Sequence, residues 1–344
     1  MNLESQNRGN TKLVHLLLRL SKRYDSYPQC LVLRGVLKSG DQPLAAGHFG
    51  EVWKGQFLEQ PICLKVVRLY QNSDAHRLIK AFSREAIIWS HLSHDNLLPF
   101  YGMYQLEDNS NRICLVSPWM DNGTLREHIG HNPRSNRLWL LSDVASGLAY
   151  LHEQSVTHGD LKGQNILVSK FGRACLADFG LSRATEAQTS HWGSGSTTHA
   201  VGTVRWQAPE LFDPDLDNPK PTAASDVYSF SCVCYEAFTG EIPFYEYPRD
   251  ATVIAFVTRG RRPTKPSPFS HGLTMDFWTL MEMCWSSEPS KRPIVVQVLQ
   301  QPVFRELEDN RPEGQAYILS LSQFRRSVYG GSQSGRGLSS WLKW

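Results

Sequence analysis

Two short strings in this chain hold residue types that could move a phosphoryl group. They are His158-Gly159-Asp160-Leu161-Lys162-Gly163-Gln164-Asn165 and Ala177-Asp178-Phe179-Gly180, with the two aspartates eighteen residues apart. Transfer from a nucleotide asks little covalent chemistry of a protein. It asks for metal ions on the phosphates, a carboxylate beside the attacking hydroxyl, and tight positioning. Asp160, Asn165 and Asp178, two acids and an amide carbonyl at these offsets, meet that need. A lone Asp or Asn in a loop is more often a cap or turn residue. The strings therefore matter only if the surrounding elements hold them together.

Those elements fall into two blocks. From Leu31 to Val116 the chain shows short β-rich runs (Leu31–Leu37, Gly50–Phe57, Ile62–Val67, Ile113–Val116) and one helical segment, Ser73 to Ser90. From Leu125 onward helical periodicity dominates. Arg137 to Gln154 places Leu138, Leu141, Val144, Ala145, Leu148 and Leu151 on one face, and Asp226 to Thr239 is apolar nearly all round, the mark of a central helix. The predicted class is α+β: a small antiparallel-sheet lobe with one main helix, a short hinge, and a larger, mostly helical lobe. Ligands favour clefts between such lobes. Residues 1–30 read as an extension with one amphipathic helix, Lys12 to Arg23, bearing Leu13, Leu16, Leu17 and Leu20 at helical spacing. It would pack on its own domain or on a partner. The last residues are rich in Ser, Gly and Arg and read as a loose tail from 309 to 344, with Trp341 and Trp344 as a docking element.

Bulk properties exclude several classes. The chain has 344 residues, 41% hydrophobic and 20% charged, with a net charge of +3 from interspersed acids and bases. That balance gives no reason to expect nucleic acid or an anionic membrane as the main partner. No apolar run approaches the roughly 20 residues a spanning helix requires, and the polar start, Met1 to Asn10, lacks the apolar core of a signal peptide. Seven cysteines are scattered without CxxC pairs. Cys232 and Cys234, inside an apolar helix, are expected to be buried reduced thiols. The expected location is the cytoplasm.

With these two strings the chain resembles the eukaryotic protein kinases, whose catalytic-loop and metal-loop motifs they match almost letter for letter. The resemblance implies a bilobal kinase domain over residues 31–308, with an N-lobe at 31–117, a hinge at 118–122 and a C-lobe at 123–308. On the nucleotide side, Ala45-Ala46-Gly47-His48-Phe49-Gly50-Glu51-Val52 is similar to the glycine-rich loop that covers phosphates, with Ala45 in place of its first glycine. Lys65, in Ile62-Cys63-Leu64-Lys65, takes the place of the strand lysine that contacts the α- and β-phosphates, and Glu85 that of its partner. A lysine inside an apolar strand is unusual, because burying an unpaired ammonium is costly. A structural ion pair is the alternative. Ser117 takes the gatekeeper place, Pro118 offers the carbonyl and Met120 the amide to adenine. Val52, Cys63 and Leu167 would sandwich the base or serve as ordinary core.

On the catalytic side the resemblance makes Asp160 the carboxylate that accepts the substrate proton. Lys162 would neutralise the γ-phosphate, and Asn165 and Asp178 would hold magnesium. Lys162 and Gly202-Thr203, with Thr203 expected to bridge Asp160 and Lys162, are of the serine/threonine type. Arg205-Trp206, Asp121-Asn122-Gly123-Thr124-Leu125 and Cys284-Trp285 look like the tyrosine-kinase-like group of those enzymes. Glu210 is expected to meet Arg292, and Asp226 to anchor the catalytic loop. Phe100, Trp89, Phe179 and His158 would form an apolar stack. The implied ligands are ATP and Mg2+, the implied partner a protein with a Ser or Thr acceptor, and a regulatory partner would use the terminal extensions. Two departures stand out. Gly159 replaces the arginine that would clamp a phosphate on the activation segment. Leu181 to Val201 is long and rich in Ser, Thr and Gly, including Thr197 and Thr198. A nucleotide-binding scaffold without turnover and a dual Ser/Thr and Tyr kinase are the alternatives.

Overall fold

The computed structural model describes residues 16–17, 19–21, 23, 28, 31–47, 50–66, 85–106, 112–179, 203–216 and 219–312. The chain divides into two compact units. One comprises residues up to Ser93 and Leu98–Trp119; the other comprises His94–Leu97 and Met120–Gly314.

The first unit is built on an antiparallel sheet. Strands β1 (Leu37–Lys38), β2 (Ala45–Gly47), β3 (Gly50–Phe57), β4 (Gln60–Val66), β5 (Gly102–Gln105) and β6 (Ile113–Pro118) pair in the order β1-β3-β4-β6-β5, with β2 also on β3. Strict alternation in β4 explains its place. Ile62, Leu64 and Val66 are fully buried against Trp53, Phe57 and Val116, while Cys63 and Lys65 turn to the half-exposed face. Each such apolar side chain gains roughly 1.5–3 kcal/mol on burial, so the register is fixed by the dry face. The run 31–37 differs from expectation. Only Leu37–Lys38 pairs as a strand, with a single bridge from Val32 to Met103, because Gly35 turns the chain at φ +76°. The stretch Ala45–Gly47, read as loop, forms β2. Of the helix expected over 73–90, residues 85–91 are helical, and 67–84 lie outside the described residues. The described residues of the Lys12–Arg23 stretch are helical, with Leu16 exposed.

The second unit is mostly helical: α1 (Leu125–His131), α2 (Arg137–Glu153), α3 (Ala223–Thr239), α4 (Asp250–Thr258), α5 (Met275–Cys284), α6 (Val295–Leu299) and α7 (Pro302–Arg305), with a hairpin of β7 (Ile166–Val168) and β8 (Ala174–Leu176). Asn136 starts α2 by accepting from the Leu138 and Trp139 amides. Thr222 and Ser225 form a capping box on α3, and Gly240, left-handed at φ 75°, ends it. Every residue from Ser225 to Phe238 is buried, as the all-round apolar pattern predicts. Cys232 and Cys234 are buried free thiols, and burial pushes Cys232 up to about 12. Among the described residues no helix is long and apolar enough to cross a membrane. In the tail expected to be loose from 309, Asp309, Arg311 and Pro312 are hydrogen-bonded to Arg173 or Asp143.

Candidate active site

The catalytic loop of the second unit hangs from two buried carboxylates on α3. Asp226 accepts the His158 amide at 2.8 Å and the Gly159 amide at 2.9 Å, and His152 Nε2 lies 2.9 Å from the same carboxylate. Holding both amides puts Gly159 at φ +79°. A side chain there would carry roughly 1–2 kcal/mol of strain, so glycine suits the turn. Glu236 is the second post, and sequence reasoning missed it. Its Oε2 accepts the Gly163 amide at 3.0 Å and the Trp206 indole N–H at 3.1 Å, tying two segments to one helix. A Cβ at Gly163 would lie 2.5 Å from the Glu236 carboxylate, so a side chain there would have to displace that carboxylate. The available signal was a lone glutamate in the apolar second half of the helix, Cys232 to Phe238.

Polar side chains converge on Asp160. Its Oδ2 accepts from Asn165 Nδ2 and meets Lys162 Nζ, each at 2.9 Å. Its Oδ1 is buried and has no hydrogen-bond partner among the described residues. Lys162 also donates to Thr203 Oγ1 at 2.9 Å. Thr203 was expected to bridge Asp160 and Lys162; instead the ammonium stands in the middle and joins the hydroxyl to the carboxylate. Asn165 commits its Nδ2 to the Asp160 carbonyl as well, at 2.7 Å, so its Oδ1 is the atom it presents elsewhere. The Ala177 amide donates to the Asn165 carbonyl at 2.8 Å, which brings the next residue, Asp178, beside the loop. Asp178 itself adopts φ +59°. An amide oxygen and a carboxylate are the hard donors a divalent cation takes when phosphates supply the rest. His158 is fully buried beneath this loop, and burial holds its imidazole below the ordinary value; it meets the Phe179 ring edge-on at 6.3 Å.

In the first unit, register gathers the residues expected at the nucleotide. Ala45 pairs with Val52, Val52 with Lys65, Cys63 with Ser117, and Lys65 with Leu115. Directly opposed residues share a face, so Ala45, Val52, Cys63, Lys65 and Ser117 line one side of the sheet. Gly47 opposes Gly50 at the start of the β2–β3 turn, and Pro118 opposes Ile62 at the end of β6. Glu85 is buried at the start of the helical stretch; it and Lys65 are both engaged by neighbours. Trp89 and Phe100 stack at 4.9 Å. In the second unit, Met120 is buried and accepts the Gly123 amide. Gly123 in turn accepts the Val168 amide, which sets Met120 near Leu167 of β7.

Residues 39–301 match the family described as protein tyrosine and serine/threonine kinase. The chain belongs to the protein kinases. Its sheet-rich unit is the kinase N-lobe and its helical unit the C-lobe. A probable serine/threonine-protein kinase of Dictyostelium discoideum is 30% identical over 263 residues, 74% of this chain and 18% of that protein. The serine/threonine-protein kinase STY17 of Arabidopsis thaliana is 30% identical over 278 residues, 78% of this chain and 45% of that protein. The serine/threonine/tyrosine-protein kinase HT1 of the same plant is 31% identical over 257 residues, 72% of this chain and 61% of that protein. The chain thus spans less than two thirds of these relatives. As a kinase, it carries the ion pair that anchors the segment after Trp206: Arg292 meets both oxygens of Glu210 at 2.7 Å and also binds the Ala224 carbonyl. Arg205 is held by the carbonyls of Phe244 and Tyr247.

Proposed function

We propose that this kinase domain is active, transferring the γ-phosphate of Mg-ATP to a serine or threonine hydroxyl on a protein. The observation that carries the reading is the asymmetry of Asp160. One oxygen is fixed by Lys162 and Asn165, and the other is buried with no hydrogen-bond partner among the described residues. That unpaired oxygen would orient the acceptor and take its proton, a service worth about 10²–10⁴ in rate. Lys162, held by its hydrogen bond to Thr203, would meet the transferring phosphoryl group. Magnesium, when bound, would supply the positive charge that offsets the charge developing on the phosphates. Asn165 Oδ1 and the Asp178 carboxylate are the residues of this chain that would hold it. Lys65 and the sheet face it shares with Val52, Cys63 and Ser117 would contact the nucleotide, and in the second unit Met120 and Leu167 are the residues that would contact adenine. The buried thiols agree with a reducing compartment such as the cytosol.

Gly159 shapes the regulation we propose. Without arginine beside Asp160, no charge there waits for an activation-segment phosphate, so basal activity should not need one. The test is γ-phosphate transfer by the full chain to Ser-, Thr- and Tyr-containing peptides, before and after phosphatase treatment. We expect Ser and Thr products and initial rates that change by less than tenfold, equivalent to about 1.4 kcal/mol. Tyrosine products would favour dual specificity, and an absence of transfer would favour a nucleotide-binding scaffold.

A further inference from the structure

The stretch shared with the kinase family ends at residue 301, yet the chain continues along the C-lobe as a well-bonded strap. The Glu308 carbonyl accepts from Trp139 Nε1 of α2 at 2.9 Å. Asp309 accepts from Arg173 at 2.6 Å and from Arg311 at 2.7 Å, and Arg173 donates back to the Pro312 carbonyl at 3.2 Å. Arg311 is the centre. Its Nη1 donates to Asp143 Oδ2 at 2.8 Å and to the Gly172 carbonyl at 2.6 Å. Its Nη2 donates to Asp143 Oδ1 at 3.1 Å and to the Trp139 carbonyl at 3.2 Å. The guanidinium also lies 5.4 Å from the Trp139 ring centre.

What Arg311 holds is not a surface group. Asp143 exposes 6% of its side chain, and its Oδ2 also accepts the amide of Ala174, the first residue of β8, at 2.8 Å. That strand ends at Leu176, two residues before Asp178. Arg311 therefore touches the turn that opens β8, through Gly172, and the carboxylate that fixes the strand's first amide. Arg173, the other cation near Asp143, stands 3.6 Å away and is shared with Asp309. Removing one partner of a buried, bidentate pair leaves the other charge uncompensated. Burial pushes the Asp143 carboxyl up and Arg311 pulls it back, in keeping with that geometry.

We propose that Arg311 is a positioning residue for phosphoryl transfer, acting through Asp143 and Ala174 on the strand that delivers Asp178. The kinase core would then extend to residue 312, and its metal loop would be sensitive to whatever moves the strap. This rests on the reading of Asp178 as a magnesium ligand.

The test uses the full chain with Arg311→Ala, Arg311→Lys, Asp143→Asn, the Asp143→Asn/Arg311→Ala double variant, and Asp178→Asn as control. Four quantities are measured well below the melting temperature: the Mg2+ concentration giving half the maximal rate, kcat, peptide KM, and nucleotide affinity in EDTA. Arg311→Ala should raise the Mg2+ requirement about tenfold, the lower end of what losing an outer support of a metal ligand costs. Peptide KM and metal-free nucleotide affinity should stay near wild type. Adding Asp143→Asn should restore much of the loss, because the amide still accepts from Ala174 and leaves no stranded charge. If Arg311→Ala does not fold, Arg311→Lys, which keeps the charge but loses the fork, should show a smaller rise in Mg2+ requirement. A lowered melting temperature with unchanged Mg2+ dependence and kcat would reduce the strap to a structural brace and overturn the proposal. So would a wild-type Arg311→Lys when Arg311→Ala is unfolded. A wild-type Mg2+ response in Asp178→Asn would instead remove the metal assignment beneath it.

Discussion

The sheet that carries Lys65 and the loop that carries Asp160 are positioned by different forces. The sheet relies on alternation. Ile62, Leu64 and Val66 are wholly buried, and the strand register they enforce turns Cys63 and Lys65 the other way. That support is apolar, non-directional and indifferent to pH. The loop has little apolar content of its own. It is held by hydrogen bonds to Asp226 and Glu236 and by the Lys162 bridge, all ionisable groups taken from water. Such groups are costly to bury and strict in geometry. A kinase built this way should show tolerant placement on the nucleotide side and exacting placement on the catalytic side. Variants on the two sides should also fail differently.

The sharpest break of the comparison is Asp160→Asn. The amide keeps the shape but cannot accept the proton, so kcat should fall by about 10²–10⁴. Nucleotide affinity, which the proposed function assigns to the sheet side, should hold. Wild-type turnover would show that Asp160 is not the proton acceptor. Lys65→Met comes next. Loss of a preorganised charge contact to the phosphates should lower kcat by on the order of 10². Were the loss confined to KM for ATP, Lys65 would contribute only uniform binding, and the sheet would be a holder without a share in transition-state stabilisation.

How much of this was legible depends on sequence distance. Asp160, Lys162 and Asn165 lie within six residues, so their convergence follows from one short string. The alternation of Ile62 to Val66 likewise exposes the face of Lys65. Gly35 breaks the run 31–37, a local signal that the β-rich composition of Leu31 to Leu37 outweighed. The Glu236 role depends on partners 73 and 30 residues away, and that of Arg311 on one 168 residues away; no periodicity encodes such pairings. Thr203 was correctly drawn to Lys162. Which of three polar heads sits in the middle is a matter of packing, and the sequence does not order them.

Glu236→Gln tests whether the loop's support is electrostatic. Burial raises the Glu236 carboxyl above its ordinary 4.5, against the opposing pull of the Gly163 amide and the Trp206 indole. The folded protein then holds this proton more tightly than the unfolded chain. Stability from the group is fully present below 4.5 and is lost as pH rises through the raised folded value. Glutamine removes that slope. Relative to wild type, the variant should gain in stability as pH rises from 4.5 toward neutrality, by about 1.4 kcal/mol for each unit of pKa elevation, read as a rising difference in melting temperature. A difference in melting temperature that stays flat with pH would mean Glu236 titrates as if exposed, and the contrast with the sheet would weaken.

Ala45→Gly should do least, and it probes the tolerant side directly. Ala45 stands where a glycine is usual in the loop over the phosphates, yet it is not among the residues with positive φ, and it pairs in register with Val52. Its methyl therefore costs the backbone nothing that glycine would recover. Glycine instead adds unfolded-state freedom and weakens a strand by roughly 0.5–1 kcal/mol. We expect KM for ATP to move by less than about tenfold, or 1.4 kcal/mol, with a slightly lower melting temperature. A larger gain in ATP binding would show that the methyl obstructs the phosphates. The sheet side would then be as exacting as the catalytic loop, and the reading of a nucleotide-binding scaffold with little turnover would gain ground.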